Sequence, residues 1–243
     1  MKTIYILRPA VAMVELIFSI VIIGIVLMSA PMVISTANKS GFLSLQQEAI
    51  SAAASELNMI LTYPWDEGNT DESLASPILG TAGAGDLNEA VITGNATGRR
   101  WGTDLRSKRR FITALGTRVP ATIFANLGRE GDDNNTNDDI DDFNAIVSTL
   151  NNIQATATQT GDYVDNTISI ATTVVYISDA PTNNSYRGMA DTINFDITTN
   201  SVSGAISTNI KRVSVQLTTA NTKANIILHA FACNIGSYEL EER

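Results

Sequence analysis

The sequence has one cysteine, Cys233, and one histidine, His229. A lone cysteine excludes an intramolecular disulfide. A lone histidine leaves zinc sites and nucleophile–histidine–acid constellations short of members. The two residues lie four positions apart on one face of an apolar stretch that reads as a strand. At about 3.3 Å per residue they would stand roughly 13 Å apart, too far to touch. Packing, with His229 in the core or half-buried, accounts for both better than chemistry does. Phosphate-binding glycine loops, dinucleotide fingerprints and zinc-ligand spacings are missing as well. Basic residues are also scarce: 16 Lys and Arg stand against 25 Asp and Glu, a formal charge of −9. Phosphate recognition wants a basic face, so nucleic acid is not an expected partner.

What the sequence does have is one long apolar run, VAMVELIFSIVIIGIVLMSAP from Val11 to Pro31. From Leu16 to Ile34 there are 19 residues without a charge, about the length a helix needs to cross a bilayer core. Lys2 and Arg8 precede it and no acid does, which predicts a cytoplasmic N-terminus with the rest of the chain across the membrane. Glu15 is the odd residue. A carboxylate on the apolar part of a membrane helix costs about 2.5–3.5 kcal/mol at the centre and less near an end, so it calls for a partner. A protonated amine at a newly cut N-terminus would supply one.

The segment RPAVAMVELIFSIVIIGIVLMSAP resembles the N-terminus of type IV prepilins and type II secretion pseudopilins. That pattern is a short basic leader, a small residue at the cut, then a hydrophobic helix with glutamate fifth in the mature chain and a glycine and a proline further on. A cut between Ala10 and Val11 makes Glu15 the fifth mature residue and puts Gly24 and Pro31 at or next to the family positions. Ala10 stands where the family usually has glycine, and Val11 where it usually has phenylalanine. The resemblance implies that a prepilin peptidase removes residues 1–10 and N-methylates Val11, and that Glu15, Gly24 and Pro31 serve assembly. The mature chain would then hold 14 basic residues against 25 acids, a charge of −11. Shorter stretches, TYPWDE (Thr62–Glu67), DDIDDFN (Asp138–Asn144), NIKRVSVQLT (Asn209–Thr218) and FACNIG (Phe231–Gly236), resemble minor pilins of mannose-sensitive-haemagglutinin (MSHA) type pili.

Past Pro31, which removes a backbone donor and is expected to kink or locally melt a helix, apolar residues recur at helical spacing. Leu43, Ile50, Ala53, Ala54, Leu57, Ile60 and Leu61 form one face, and Gln46, Gln47, Ser51, Ser55 and Asn58 the other. Tyr63-Pro64 ends the helix. The expectation is a transmembrane half over 11–34 and an amphipathic half over 35–63. From 64 to 243 an extracytoplasmic domain follows. Gly80–Gly85 and Thr93-Gly94-Asn95 read as loops, and Asp141–Ile153 as a short helix. The C-terminal part, about 165–238, reads as antiparallel sheet. Ile168, Ile170, Val174 and Tyr176 share one side of a strand. Phe195 alternates with polar neighbours between Ile193 and Ile197. Val213, Val215 and Leu217 alternate with Arg212, Ser214 and Gln216. Asn225–Cys233, apolar on both faces, reads as a central strand reached by a tight turn at Asn221-Thr222-Lys223. The fold class is α+β, a long N-terminal helix packed on an antiparallel sheet, the plan the pilin resemblance also implies.

Seven acids crowd between Glu130 and Asp142. Asp133, Asn135, Asn137, Asp139 and Asp142 offer side-chain oxygens spaced as in calcium loops. Asp138 and Asn144 occupy the positions where that pattern wants glycine and glutamate. Three readings stay open: a Ca2+ site, a solvated acidic loop, or pairing with the basic run Arg99–Arg110 around Trp101. The sequence thus points to a structural subunit rather than an enzyme. Its expected partners are other pilin or pseudopilin subunits, the prepilin peptidase, an inner-membrane assembly platform and membrane lipid. Its expected location is the inner membrane, then the filament. The alternative is a stand-alone anchored binding or adhesin module that depends on calcium.

Overall fold

The computed structural model describes residues 8–70, 77–83, 85–104, 106–111, 118–131, 136–151, 167–183, 185–188, 191–194, 201–219 and 225–236. The chain divides into two units, Met1–Ala49 and Ile50–Arg243. The first contains most of a single helix, α1, which runs unbroken from Arg8 to Ile60. Pro31 lies inside it without interrupting the helical assignment, so the expected local melting does not occur. Proline removes only its own N–H, and the ladder closes on either side of the gap. Every side chain from Ala12 to Ser44 is exposed, and Leu27, for example, shows 66% of its surface. A helix this long and apolar, with that face unburied, is long enough to cross a membrane.

In the second unit the last turns of α1 supply Ala53, Leu57 and Ile60 to the core. Their spacing of three and four places them on one helix face. Glu56 accepts a hydrogen bond from Ser148 Oγ at 3.3 Å, tying this face to the sheet. The helix ends three residues before Tyr63, and Thr62 and Tyr63 donate to the carbonyls of Met59 and Ile60 in a closing turn.

The main sheet has four antiparallel strands in the order β3 (Val147–Asn151), β4 (Thr167–Ile177), β5 (Ile210–Thr219) and β6 (Ile226–Cys233). Sequence alternation sets its two faces. Ile168, Ile170, Val174 and Tyr176 of β4 and Val213, Val215 and Leu217 of β5 are all buried, whereas Thr173 and Gln216 are exposed. In register Val174 pairs with Val213, and Ile170 with Leu217, so the apolar rows stack across the strands. The α+β plan is therefore present.

Three expectations change. The stretch read as a helix over Asp141–Ile153 is a single 3-10 turn, Asp141–Phe143, followed by strand β3. The apolar face of Phe143, Ile146, Val147 and Leu150 is divided between turn and strand, and Ala145, at φ 62°, reverses the chain between them. Strand β6 is an edge strand, not a central one. Its burial alternates, with Ile227 (43%) and Phe231 (46%) on the open side. His229 shares that side and is exposed, so it is not a core histidine. The expected loop at Thr93-Gly94 is the turn of a hairpin, whose strands Glu89–Ile92 (β1) and Asn95–Arg100 (β2) were not anticipated. Thr93 (φ 53°) and Gly94 (φ 77°) make its two-residue turn with the left-handed backbone such hairpins need. Phe195, Ile197 and the turn at Asn221–Lys223 lie outside the described residues.

Candidate functional site

The N-terminal positions all fall on α1. The bond between Ala10 and Val11 lies in its first turn. Glu15 is exposed and makes no hydrogen bond or ion pair among the described residues. Gly24 and Pro31 face open surroundings, and a Cβ added at Gly24 would meet nothing within 4 Å. The one carboxylate of the apolar run, Glu15, thus has no partner among the described residues.

The described part of the acidic run is largely turned into the protein. Asp133 and Asn135 lie outside the described residues. Asn137 is exposed and its side-chain oxygen accepts from Arg129 Nε at 2.6 Å. Asp139, Asp141 and Asp142 turn inward and are at most 1% exposed. Asp139 Oδ1 accepts from the N–H groups of Asp141 and Asp142, and Asp142 Oδ2 from those of Asp138 and Asp139. These bonds fold the turn onto its own backbone, as short acidic side chains do. Among the described residues no group of three His, Cys, Asp or Glu side chains could hold a metal ion. Of the calcium candidates, Asn137 is at the surface and Asp139 and Asp142 are inside.

What faces the buried turn is Lys211, which is fully buried. On β5 it is in phase with Val213, Val215 and Leu217, so its side chain enters the core. A buried ammonium is costly unless paired and hydrogen-bonded. Lys211 Nζ donates to the carbonyl of Trp65 at 2.7 Å, to Asp66 Oδ2 at 2.9 Å and to Asp141 Oδ1. It also sits 4.4 Å from the centre of the Trp65 ring, a cation–π contact. Asp66 also accepts from Thr122 N at 3.1 Å and from Thr122 Oγ1 at 3.3 Å, while Tyr176 Oη beside it donates to Thr122 O at 2.6 Å. Trp65 Nε1 donates to Ala232 O at 3.2 Å, which brings in β6. Ile140 N donates to Pro64 O at 3.0 Å, joining the turn to the segment after α1.

The electrostatics follow from that geometry. Burial, then the Asp141 charge, pushes the Asp139 carboxyl up to about 9, so it holds a proton at neutral pH. Asp139 Oδ2 and Asp141 Oδ2 are buried and make no hydrogen bond among the described residues. Burial also raises Asp141, against the pull of Lys211. For Lys211, burial works against the charge, but Asp66, Asp141 and Asp139 together outweigh it and its pKa ends above the ordinary lysine value. Burial and the Asp66 charge raise the Tyr176 phenol. The cluster therefore gathers Lys211, Asp66, Asp141 and the protonated Asp139 in one buried site.

Sequence reasoning named the stretches that hold most of this site without singling out Lys211, and it missed Thr122. Trp65 and Asp66 come from TYPWDE, Asp139, Asp141 and Asp142 from DDIDDFN, Lys211 from NIKRVSVQLT and Ala232 from FACNIG. These four short stretches meet at one point. The signal for Lys211 was its place two residues before Val213 on the apolar side of β5. The chain matches no family model, no curated protein and no solved structure.

Proposed function

We propose that the protein is a structural subunit, a minor pilin or pseudopilin, of a type IV pilus or type II secretion-like filament. Its prepilin form is held in the inner membrane by α1, cut after Ala10 and N-methylated on Val11 by a prepilin peptidase, then passed to the assembly platform. The observation that supports this most is a single unbroken helix whose apolar run carries one acid, Glu15, with no partner among the described residues. In a filament core the helices pack on one another in a low-dielectric setting. There an unpaired carboxylate is costly, and a neighbour's N-terminal amine would neutralise it. The buried cluster around Lys211 gives the domain at the end of the helix a fixed interior rather than a substrate site.

Glu15→Ala tests this reading. The substitution removes a charge from the apolar run, so membrane insertion is kept or improved. Incorporation into sheared filaments falls sharply compared with wild type in the same host. Equal amounts of variant and wild type in the sheared fraction would defeat the amine-pairing role.

A further inference from the structure

We propose that the hairpin β1–β2 and the segment that returns beside it form a docking surface for single-stranded nucleic acid, with Arg99, Arg106, Arg109 and Arg110 taking phosphates and Trp101 stacking on a base. The charge of the whole chain, −9, argues against such a partner, but that charge is unevenly spread. Between Arg99 and Arg110 there are six basic residues and one acid, Asp104. The fold keeps the arginines together. Phe111 N donates to Gly98 O at 2.9 Å, so the chain comes back alongside β2 and brings Arg109 and Arg110 next to Arg99. The inner side of this platform is fixed. Arg100 donates to the carbonyls of Leu87 and Asn234, and Arg118 pairs with Glu89. Both guanidinium groups lie over the ring of the buried Phe111, at 5.5 and 5.2 Å from its centre.

Two features identify the ligand. The first is a set of cations without anions. The side chains of Arg99, Arg106, Arg109 and Arg110 make no hydrogen bond or ion pair among the described residues, and Arg99 Nε and Arg109 Nε are buried without an acceptor. Asp104 pairs with none of them, and its Oδ1 accepts from the backbone N–H of Arg106 at 2.7 Å. Like charges held side by side repel, and a row of closely spaced anions relieves that repulsion. Guanidinium groups are donors only and phosphate oxygens acceptors only, so the two match. A neutral sugar chain, whose hydroxyls also donate, finds no acceptor on these four side chains. The second feature is Trp101, which is 41% exposed, with Arg187 over its ring at 4.0 Å from the centre. An indole stacked by a cation and open to solvent among arginines is a platform for an unpaired base. A duplex keeps its bases stacked inside and offers Trp101 nothing. A membrane surface would call for the apolar tip of the hairpin, Ile92, beside Trp101, and the six residues of β2 hold the two about 20 Å apart.

Fluorescence anisotropy of a labelled oligothymidylate, titrated with the full chain in neutral detergent, tests the proposal. Neutralising four phosphates of a single strand gives a logarithmic salt slope of about −2.8, so binding weakens about 50-fold between about 50 and 200 mM salt. Arg109→Gln combined with Arg110→Gln halves that slope and leaves the melting temperature unchanged, because neither side chain has a partner to lose. Arg106→Gln, at an exposed position, lowers the slope by about a quarter. Trp101→Ala weakens binding about tenfold at every salt concentration and leaves the slope as it was. No binding at about 50 mM salt overturns the proposal. So does wild-type affinity in the double-arginine variant or in Trp101→Ala. A duplex or a sulfated polysaccharide bound as tightly as the oligothymidylate overturns it too, since that is attraction to any polyanion.

Discussion

Replacing Lys211 by methionine keeps much of the aliphatic stem and removes the ammonium from among Trp65, Asp66 and Asp141. Two buried carboxylates then face each other, and one must take up a proton. Keeping a carboxyl of ordinary pKa near 4 protonated at pH 7 costs about 4 kcal/mol, at about 1.36 kcal/mol per pH unit. Loss of one partner from a buried ion pair costs a similar amount, about 3–5 kcal/mol. That is a large part of a typical domain stability of about 5–15 kcal/mol. The sign of the pH dependence separates charge from packing. With Lys211 gone, the folded pKa of Asp141 rises further. The folded variant therefore binds one proton more than its unfolded chain above about pH 4, and stability rises as pH falls. The wild type already has one such proton at Asp139, whose folded pKa is about 9, and it too gains stability as pH falls below that value. The variant gains through an additional proton. The gap between the two proteins should narrow from about 4 kcal/mol at pH 7 to about 1 kcal/mol at pH 5. Chemical denaturation of both full-length chains, followed by tryptophan fluorescence at pH 5, 6 and 7, reads that gap. A gap that is constant across the range, or below about 1 kcal/mol at pH 7, would refute the electrostatic account of the cluster.

Gly83→Ala should lower the melting temperature, by about 1–3 kcal/mol in stability. A Cβ there would land on the Asp179 carboxylate, which is buried and accepts from Asn209 N at 2.9 Å. Unchanged thermal unfolding would show that Asp179 moves freely. Arg118→Ala should destabilise the β1–β2 hairpin, because Glu89 is buried and Arg118 Nη2 donates to it at 2.6 Å. Limited proteolysis near the hairpin checks this, and wild-type resistance would count against it. The inward-facing Asp139 and Asp142 predict equal melting temperatures in calcium, magnesium and chelator. A calcium-specific rise would restore the metal reading, since a ligand at a hundredfold excess over its Kd stabilises by about 2.7 kcal/mol.

Much of the fold was legible because it rests on period and length. The uncharged run from Leu16 to Ile34 and the spacing of Ala53, Leu57 and Ile60 identify α1. Alternation at Ile168–Tyr176 and Val213–Leu217 identifies β4 and β5, and burial follows it residue by residue. Strand position was not legible. Apolar residues on both faces of β6 suggested a centre, but which strands have two neighbours depends on pairing that local sequence does not encode. The hairpin β1–β2 was missed because its turn, Thr93-Gly94, looks like any surface loop and its strands are short. The acidic run misled most. Seven acids in thirteen residues suggest a solvated surface, yet Asp139, Asp141 and Asp142 face a lysine seventy residues further on. The clue was the lysine itself, a charge in phase with three valines and leucines on a buried face. Glu15 is the converse case: its oddity shows in the sequence, and the described residues hold no partner for it.

The claim that this is a processed filament subunit turns on the bond between Ala10 and Val11. Mass spectrometry of the N-terminal peptide of the protein recovered from sheared filaments of its native host reads that bond directly. The account predicts a peptide that begins at Val11 with a methylated amine, five residues inclusive from Glu15. Filament-associated protein that still contains residues 1–10 would contradict it.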